Sequence, residues 1–408
     1  MFSRSHRAHH HSSRKPSSSS SSSSSPLISL RWRSRHRRSK SVDEADQHAV
    51  DKPCLVSHES AVVRMTRSEL HMGHLLGEGG FAQVFEVARS PLGGKKGKYA
   101  VKCLRSDLAS SNKKMFEQAA NTLAQEARIM SQLHHPNILA LRGVSSDANQ
   151  LPLPHSRSMD QFFLVTDRLK ETLTDRLRKW KIHRPANAMQ YKLQYALQIA
   201  KALQYLHEHR IIHRDVTASN IGFKEEHTVQ LFDFGLSRKL PELTDSDCET
   251  VSSADDEQFE TEELFHLTIC GTQRFMAPET FGGKYNTKAD VYSWAMTVVE
   301  LMTEKKPYAY MTLPVHKILV LEQGARPRLD DDVFPAALCP ILKGAWEECI
   351  ADRWDMEQIC DALEQYLAPP LKQSPLLKKQ THQEVSAARA ALTFAHNLQT
   401  NKTTASAA

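Results

Sequence analysis

The chain has 408 residues, 40% hydrophobic and 25% charged, an ordinary soluble composition with room for one large two-part domain plus tails. Its formal charge is +6, but residues 1–42 hold ten Lys or Arg (Arg4, Arg7, Arg14, Lys15, Arg31, Arg33, Arg35, Arg37, Arg38, Lys40) and no acid. The rest therefore carries a net −4 and is not built as a nucleic-acid-binding body. Seven cysteines without a CxxC pair point to a reduced, intracellular setting, cytoplasmic or nuclear, and no apolar run reaches the ~18 residues that span a bilayer.

In chain order, residues 1–66 come first as a low-complexity segment: a His cluster, the serine run 17–25, then RWRSRHRRSK. Such a stretch buries too little apolar surface to offset its ordering entropy, so it is expected to be a disordered tail. An organelle transit peptide, rich in Arg and Ser and free of acids, and a nuclear-import or nucleic-acid patch are the competing readings. The LISL at 27–30 is too short for a signal-peptide core. From Leu70 the texture changes. LHMGHLL, AQVFEVARS and KYAVKCL read as three strands, separated by glycine-rich turns at GEGG and PLGGKKGK. QAANTLAQEARIMSQL reads as a helix and QFFLVTDRL as a strand running into a linker. Beyond residue 185 the period becomes helical, with Leu193, Leu197, Ala200, Leu203 and Leu206 on one face. The expected architecture is α+β: a small strand-rich lobe, a larger helical lobe and a cleft between them. Residues 369–408 read as a polar tail with one amphipathic stretch, EVSAARAALTFAHNL.

Three motifs point into that cleft. LGEGGFAQV, residues 76–84, is a glycine-rich turn between two strands, where backbone N–H groups can approach phosphate oxygens with no Cβ in the way. Eighteen residues beyond Val84, AVKCL places Lys102 on a strand, where its ammonium would hold the α- and β-phosphates. Glu126, on the following helix, could fix Lys102 as an ion pair. Each signal alone is weak, since glycine turns, strand lysines and helix glutamates are mostly structural. Together with LHHPNI, they occur here in one fixed order.

HRDVTASN and DFG complete the pattern, and residues 70 to about 368 resemble a eukaryotic protein kinase domain, two-lobed and of the serine/threonine type. The resemblance implies ATP and Mg2+ as cofactors and proteins as substrates. It casts Asp215 as the group that orients the substrate hydroxyl, and Asn220 and Asp233 as Mg2+ ligands. It places Leu76, Gly77, Glu78, Gly79, Gly80, Phe81, Ala82, Val84 and Ala100 around the nucleotide, Thr166 at the back of the pocket, and the backbone of Asp167 to Leu169 against adenine. By the same resemblance His213, Phe234 and Met130 form an apolar column joining the lobes, Asp290 caps amides behind the catalytic loop, and Arg353 pairs with Glu279. GARPRL, KKPYAY and AWEECIADRWD are similar to the tyrosine-kinase-like group, although Trp354 stands where that group usually has proline.

Two departures matter. Thr217 stands where serine/threonine kinases usually carry a lysine that touches the γ-phosphate; losing that bond would cost ~1.5–3 kcal/mol, one to two decades of rate. Its hydroxyl is expected to bond Asp215 or Thr272. Gly222 replaces the leucine usually found under adenine, with Ile221 and Phe223 expected to refill part of the space. With Ala82, these define the alternative reading, a pseudokinase scaffold that binds nucleotide weakly and acts through protein partners. Thr272, in GTQRFMAPE, predicts Ser/Thr acceptors and braces Asp215. The activation segment is long, with 41 residues between Gly235 and Ala277. Its middle, 242–263, holds ten acids and no Lys or Arg, and reads as a solvated insert. Thr268 is the expected phosphosite for an upstream kinase, with Arg214 as its guanidinium partner. The basic run RLRKWKIHR at 176–184 mildly favours acidic partners.

Overall fold

The structure, a computed structural model, describes residues 62–105, 107, 113–146, 162–242 and 263–368. The basic serine-rich segment, the interior of the acidic insert and the C-terminal amphipathic stretch lie outside the described residues.

Strands β1 (Val63–Met65), β2 (His71–Glu78), β3 (Ala82–Arg89) and β4 (Tyr99–Leu104) lead into helix α1 (Lys113–Met130), and the chain returns as β5 (Leu141–Ser145) and β6 (Phe163–Asp167). These six strands make one sheet in the order β1-β5-β6-β4-β3-β2. β1 lies inside the stretch 1–66 expected to be a disordered tail, and that boundary is corrected. It runs parallel to β5, and Met65 is 1% exposed in a cluster with Leu70, Val87 and Val101. Three residues are too few to show a period, so the sequence gives no sign of this strand.

Alternation along the sheet aims the cleft residues. Tyr99, Val101 and Cys103 of β4, with Phe163 and Val165 of β6, all enter that outer cluster. A side-chain period of two then turns Ala100, Lys102, Leu164 and Thr166 to the opposite face. On that side α1 buries Phe116, Ala119, Ala120, Leu123, Ala127 and Met130, a stripe at helical spacing.

The larger lobe follows with β7 (Glu171–Thr172), α2 (Leu173–Trp180), α3 (Ala188–Glu208), β8 (Ile211–Ile212), β9 (Ile221–Phe223), β10 (Val229–Leu231) and β11 (Arg238–Lys239). After the insert come β12 (Phe265–His266), β13 (Lys284–Tyr285), α4 (Lys288–Thr303), α5 (Leu313–His316), α6 (Leu338–Ala345) and α7 (Met356–Leu367). Leu193, Ala200, Leu203 and Leu206 of α3 are buried as their spacing predicts, and Leu197 packs at the edge of the same core. Helix α4 is apolar almost all round and buried almost all round, as expected of a helix at the centre of a lobe. Arg353 forks onto Glu279, with Nη1–Oε1 at 2.5 Å and Nη2–Oε2 at 3.1 Å, and ties the end of the activation segment to the chain before α7.

Most cations of the basic run 176–184 have partners within the fold. Arg176 binds Glu171 and the Tyr195 hydroxyl, Arg178 binds Asp175, Lys179 binds Glu171, and Arg184 binds Glu304. These pairs lower the charge that the run offers to an acidic partner, while Arg178, Lys179 and Arg184 keep 70%, 71% and 61% of their side chains exposed.

The two ends of the acidic insert are drawn together by Arg210, a left-handed residue at φ 55°. Leu240 N–H donates to the Arg210 carbonyl at 2.7 Å. The Arg210 Nε donates to Pro241 O at 3.0 Å, and Nη2 reaches Glu263 Oε1 at 3.1 Å. On either side, β11 pairs with β8 and β12 pairs with β13.

Asp290 of α4 organises the catalytic loop. Fully buried, it accepts the backbone N–H of His213 at 2.7 Å and of Arg214 at 2.8 Å, and meets His207 Nε2 at 3.2 Å. Burial alone would raise its carboxyl, but the bond and charge of His207, with help from His213, hold it below the usual carboxylate value. With the folded value the lower one, this contribution to stability is complete above about pH 4 and is lost as pH falls through the folded value. Asp290→Asn is expected to cost about 1–3 kcal/mol at neutral pH and to flatten the acid side of a stability-against-pH curve measured by urea unfolding.

Candidate active site

The glycine-rich turn joins β2 to β3, closed by Gly79 N–H donating to Ala82 O at 2.8 Å. A Cβ placed on Gly77 or Gly80 would meet no atom within 4 Å, so the backbone there borders open space. Glu78 is held by Arg105 at 2.6 Å, and Phe81 stands half exposed at the tip. Val84 pairs with Lys102 across the β3–β4 ladder, so the floor of the turn and the lysine are fixed by one register.

Lys102 Nζ bonds Glu126 Oε1 at 2.9 Å, Glu126 Oε2 at 2.8 Å and Asp233 Oδ1 at 2.8 Å. Burial opposes charge on Lys102, yet the two carboxylates outweigh it and raise its pKa. For Glu126 burial dominates and pushes the carboxyl up, whereas Asp233 is held below the usual range because the Lys102 charge overcomes its burial. Asp233 also sits at φ 67°, a left-handed backbone that a non-glycine residue adopts only under constraint. Phe234, next in the chain, packs edge-on against His213 with ring centres 5.1 Å apart, and α1, which ends in buried Met130, packs on the turn Phe234–Leu236.

Asp215 is anchored twice. Its Oδ1 accepts from Thr272 Oγ1 at 2.7 Å and Thr272 N–H at 2.9 Å, and its Oδ2 accepts from Asn220 Nδ2 at 2.8 Å. Asn220 Nδ2 also donates to Asp215 O at 2.9 Å, which leaves the Asn220 amide oxygen as the acceptor available to a cation. Thr217 departs from expectation. It is 2% exposed, and its hydroxyl lies 2.7 Å from Ser219 Oγ rather than on Asp215 or Thr272.

Gly222 also differs. Ile221 and Phe223 do not refill its space, because strand alternation sends them to the opposite face, where both are fully buried. Leu169 and Phe232 fill it instead: a Cβ at position 222 would lie 2.5 Å from Leu169 Cδ1 and 3.3 Å from Phe232 Cε1. The one sign of this in the sequence is the bulk of Phe232 directly before Asp233.

At the interlobe strand, Thr166 pairs with Ala100, and the buried Asp167 carboxylate is spent on Arg142 at 2.8 and 2.7 Å and on Lys224 at 2.7 Å. Arg142 and Lys224 were not read from sequence. Arg168 N–H donates to Lys98 O at 3.0 Å and Lys170 N–H to Phe223 O at 2.7 Å, with Leu169 N–H between them. In the activation segment Arg214 Nη1 lies 3.2 Å from Thr268 Oγ1, and Tyr285 OH donates to Thr268 O at 2.6 Å.

A glycine turn, a doubly paired lysine and an aspartate held between an asparagine and a threonine define the class of protein in which a nucleotide triphosphate is gripped between two lobes. A family model described as protein tyrosine and serine/threonine kinase matches residues 70–363, and the chain belongs to that family. Among curated proteins it is 28% identical over 245 residues to the Arabidopsis thaliana serine/threonine-protein kinase STY17, covering 60% of this chain and 37% of the relative. It is 29% identical over 303 residues to STY46 of the same plant, covering 72% and 44%. A probable serine/threonine-protein kinase of Dictyostelium discoideum is 28% identical over 306 residues, covering 74% and 20%. The chain thus spans less than half the length of these relatives. Among the described residues no helix is long and apolar enough to cross a membrane.

Replacing Glu126 by Gln removes one of the two charges that hold Lys102. Loss of a charge-assisted bond of about 1.5–3 kcal/mol predicts Mg-ATP binding weaker by one to two decades in equilibrium titration, and a free protein that melts several degrees lower.

Proposed function

We propose that this chain transfers the γ-phosphate of Mg-ATP to serine or threonine hydroxyls of protein substrates, in intracellular signalling. The observation that carries the proposal is the double anchoring of Asp215. With Oδ1 fixed by Thr272 and Oδ2 by Asn220, the carboxylate has one direction left in which to accept a hydrogen bond, and that direction belongs to the acceptor hydroxyl. Thr272 supports Ser/Thr acceptors over tyrosine, as it occupies the loop with a short side chain that also braces the base.

Phosphoryl transfer rests on positioning and charge neutralisation, and the residues divide that work. Lys102, held charged by Glu126 and Asp233, would meet the α- and β-phosphates while the open backbone of Gly77 and Gly80 lets them approach. Leu76, Glu78, Gly79, Phe81, Ala82, Val84 and Ala100 would surround the nucleotide, with Thr166 at the back. The Leu169 N–H, left between two amides already bonded, would meet the base together with the Asp167 carbonyl. The carboxylate of Asp233, with 45% of its side chain exposed, and the amide oxygen of Asn220 are hard oxygen donors that fit Mg2+. When bound, the metal supplies neutralising charge between the β- and γ-phosphates. Thr217 is assigned no contact with the phosphates; its hydroxyl steadies the loop through Ser219.

The proposal extends to control. Thr268, exposed and within reach of the buried Arg214 guanidinium, would carry an activating phosphate placed by an upstream kinase. Residues 1–61 and 369–408 would act as tails to this domain, with 242–263 an acidic insert in the activation segment.

Labelled Mg-ATP is expected to label a Ser/Thr-containing acceptor, with Asp215→Asn reducing the rate by at least two decades. Thr217→Ala should stay within about fivefold of the parent, since only a neutral local bond is lost. Equal labelling by the parent and Asp215→Asn would favour the scaffold reading. Phosphatase treatment should slow the parent by about tenfold or more and leave Thr268→Ala unaffected; a phosphatase-sensitive Thr268→Ala would move the switch elsewhere.

A further inference from the structure

We propose that Leu169 and Phe232 together form the apolar bed on which the nucleotide base rests, and that glycine at 222 is what lets them meet there. The inference rests on the ATP-binding reading above and names which side chains of that site set its selectivity for the base.

The backbone at position 222 cannot yield. It is the middle residue of β9, paired with Gln230 of β10 on one side and Thr172 of β7 on the other. A Cβ there would stand 2.5 Å from Leu169 Cδ1, 3.3 Å from Leu169 Cγ and 3.3 Å from Phe232 Cε1. A single methyl could be admitted if the end of Leu169 turned aside. The three further carbons of a leucine could not, because Phe232 closes the other side. Glycine here is therefore required by two neighbours and is not a missing floor.

Leu169 and Phe232 are each only partly buried, packed against the main core. Their places in the chain suit a ligand that is apolar at one end and anionic at the other. Leu169 carries the amide left between two bonded ones, at the base end. Phe232 directly precedes Asp233, and its N–H donates to Asn220 O at 3.0 Å, so its ring is tethered to the proposed metal ligands. An apolar bed built from an aliphatic and an aromatic side chain favours a wide flat base, a purine over a pyrimidine.

The test measures two affinities for each purified variant, one for Mg-ATP and one for Mg-tripolyphosphate, which has no base. Phe232→Ala and Leu169→Ala are expected to weaken Mg-ATP by about tenfold, the worth of a buried apolar contact, and to leave Mg-tripolyphosphate unchanged. Gly222→Leu should lose Mg-ATP altogether, and Gly222→Leu with Leu169→Ala should regain it, the new leucine replacing the old. If Gly222→Leu fails to melt cooperatively, the two truncations decide alone. A parent that binds Mg-ATP while both truncations bind it equally well would overturn the inference and spare the proposed function. Equal losses for ATP and tripolyphosphate would also overturn it, since the effect would then lie on the phosphates. A parent that binds neither probe would overturn the proposed function, and this inference with it.

Discussion

One ammonium group sits between two carboxylates drawn from positions 24 and 131 residues away along the chain. Lys102 belongs to the sheet, Glu126 to the helix behind it, and Asp233 to the larger lobe, so the three charges hold a strand, a helix and a loop to one geometry. Removing ions from water is costly, and the arrangement persists because each charge is answered at hydrogen-bond distance. Asp233 takes a left-handed backbone to reach the lysine, and that turn sets Phe234 against His213. Behind the loop, the buried Asp290 fixes His213 and Arg214 by their amides, and Arg214 then extends toward Thr268. The cleft is thus one connected set of charges, in which each anion is placed by a partner contributed from elsewhere.

Much of this was legible in the sequence because it follows from short-range rules. The strands around Lys102 show alternation, α1 and α3 show helical spacing, and the order of glycine turn, lysine, glutamate, HRD and DFG identifies the lobes. Where the structure departs from these rules, most of the partners are distant in sequence. Nothing near Met65 reveals that it packs beneath β4, and nothing within 176–184 reveals that Glu304 takes up Arg184. Thr217 stands where a lysine would reach the phosphates, but a side chain two carbons long bonds what lies within its reach, here Ser219. At Gly222 the neighbours in sequence, Ile221 and Phe223, are not the ones in space: the atoms in its place come from residues 169 and 232.

Gly222 has a counterpart. A Cβ on Gly344 of α6 would lie 2.6 Å from the ring of Trp354, the residue that stands where related kinases usually carry proline, and Trp354 N–H donates to Gly344 O at 3.0 Å. In both places a glycine faces a large side chain. In both, a larger residue in place of the glycine would have to displace that side chain, so the two positions are read best as a pair. Departures from a family pattern are better judged by what fills the space than by the single letter that changed.

The grip of Arg210 on Pro241 and Glu263 has a thermodynamic corollary. Once the ends of a loop are pinned together, lengthening the chain between them adds closure entropy only logarithmically, about 0.6 kcal/mol for each doubling. The twenty residues from 243 to 262 can therefore drift in number and composition over evolutionary time with little effect on the strands that flank them. The length between the two anchors is thereby separated, in free-energy terms, from the strand pairing on either side of them.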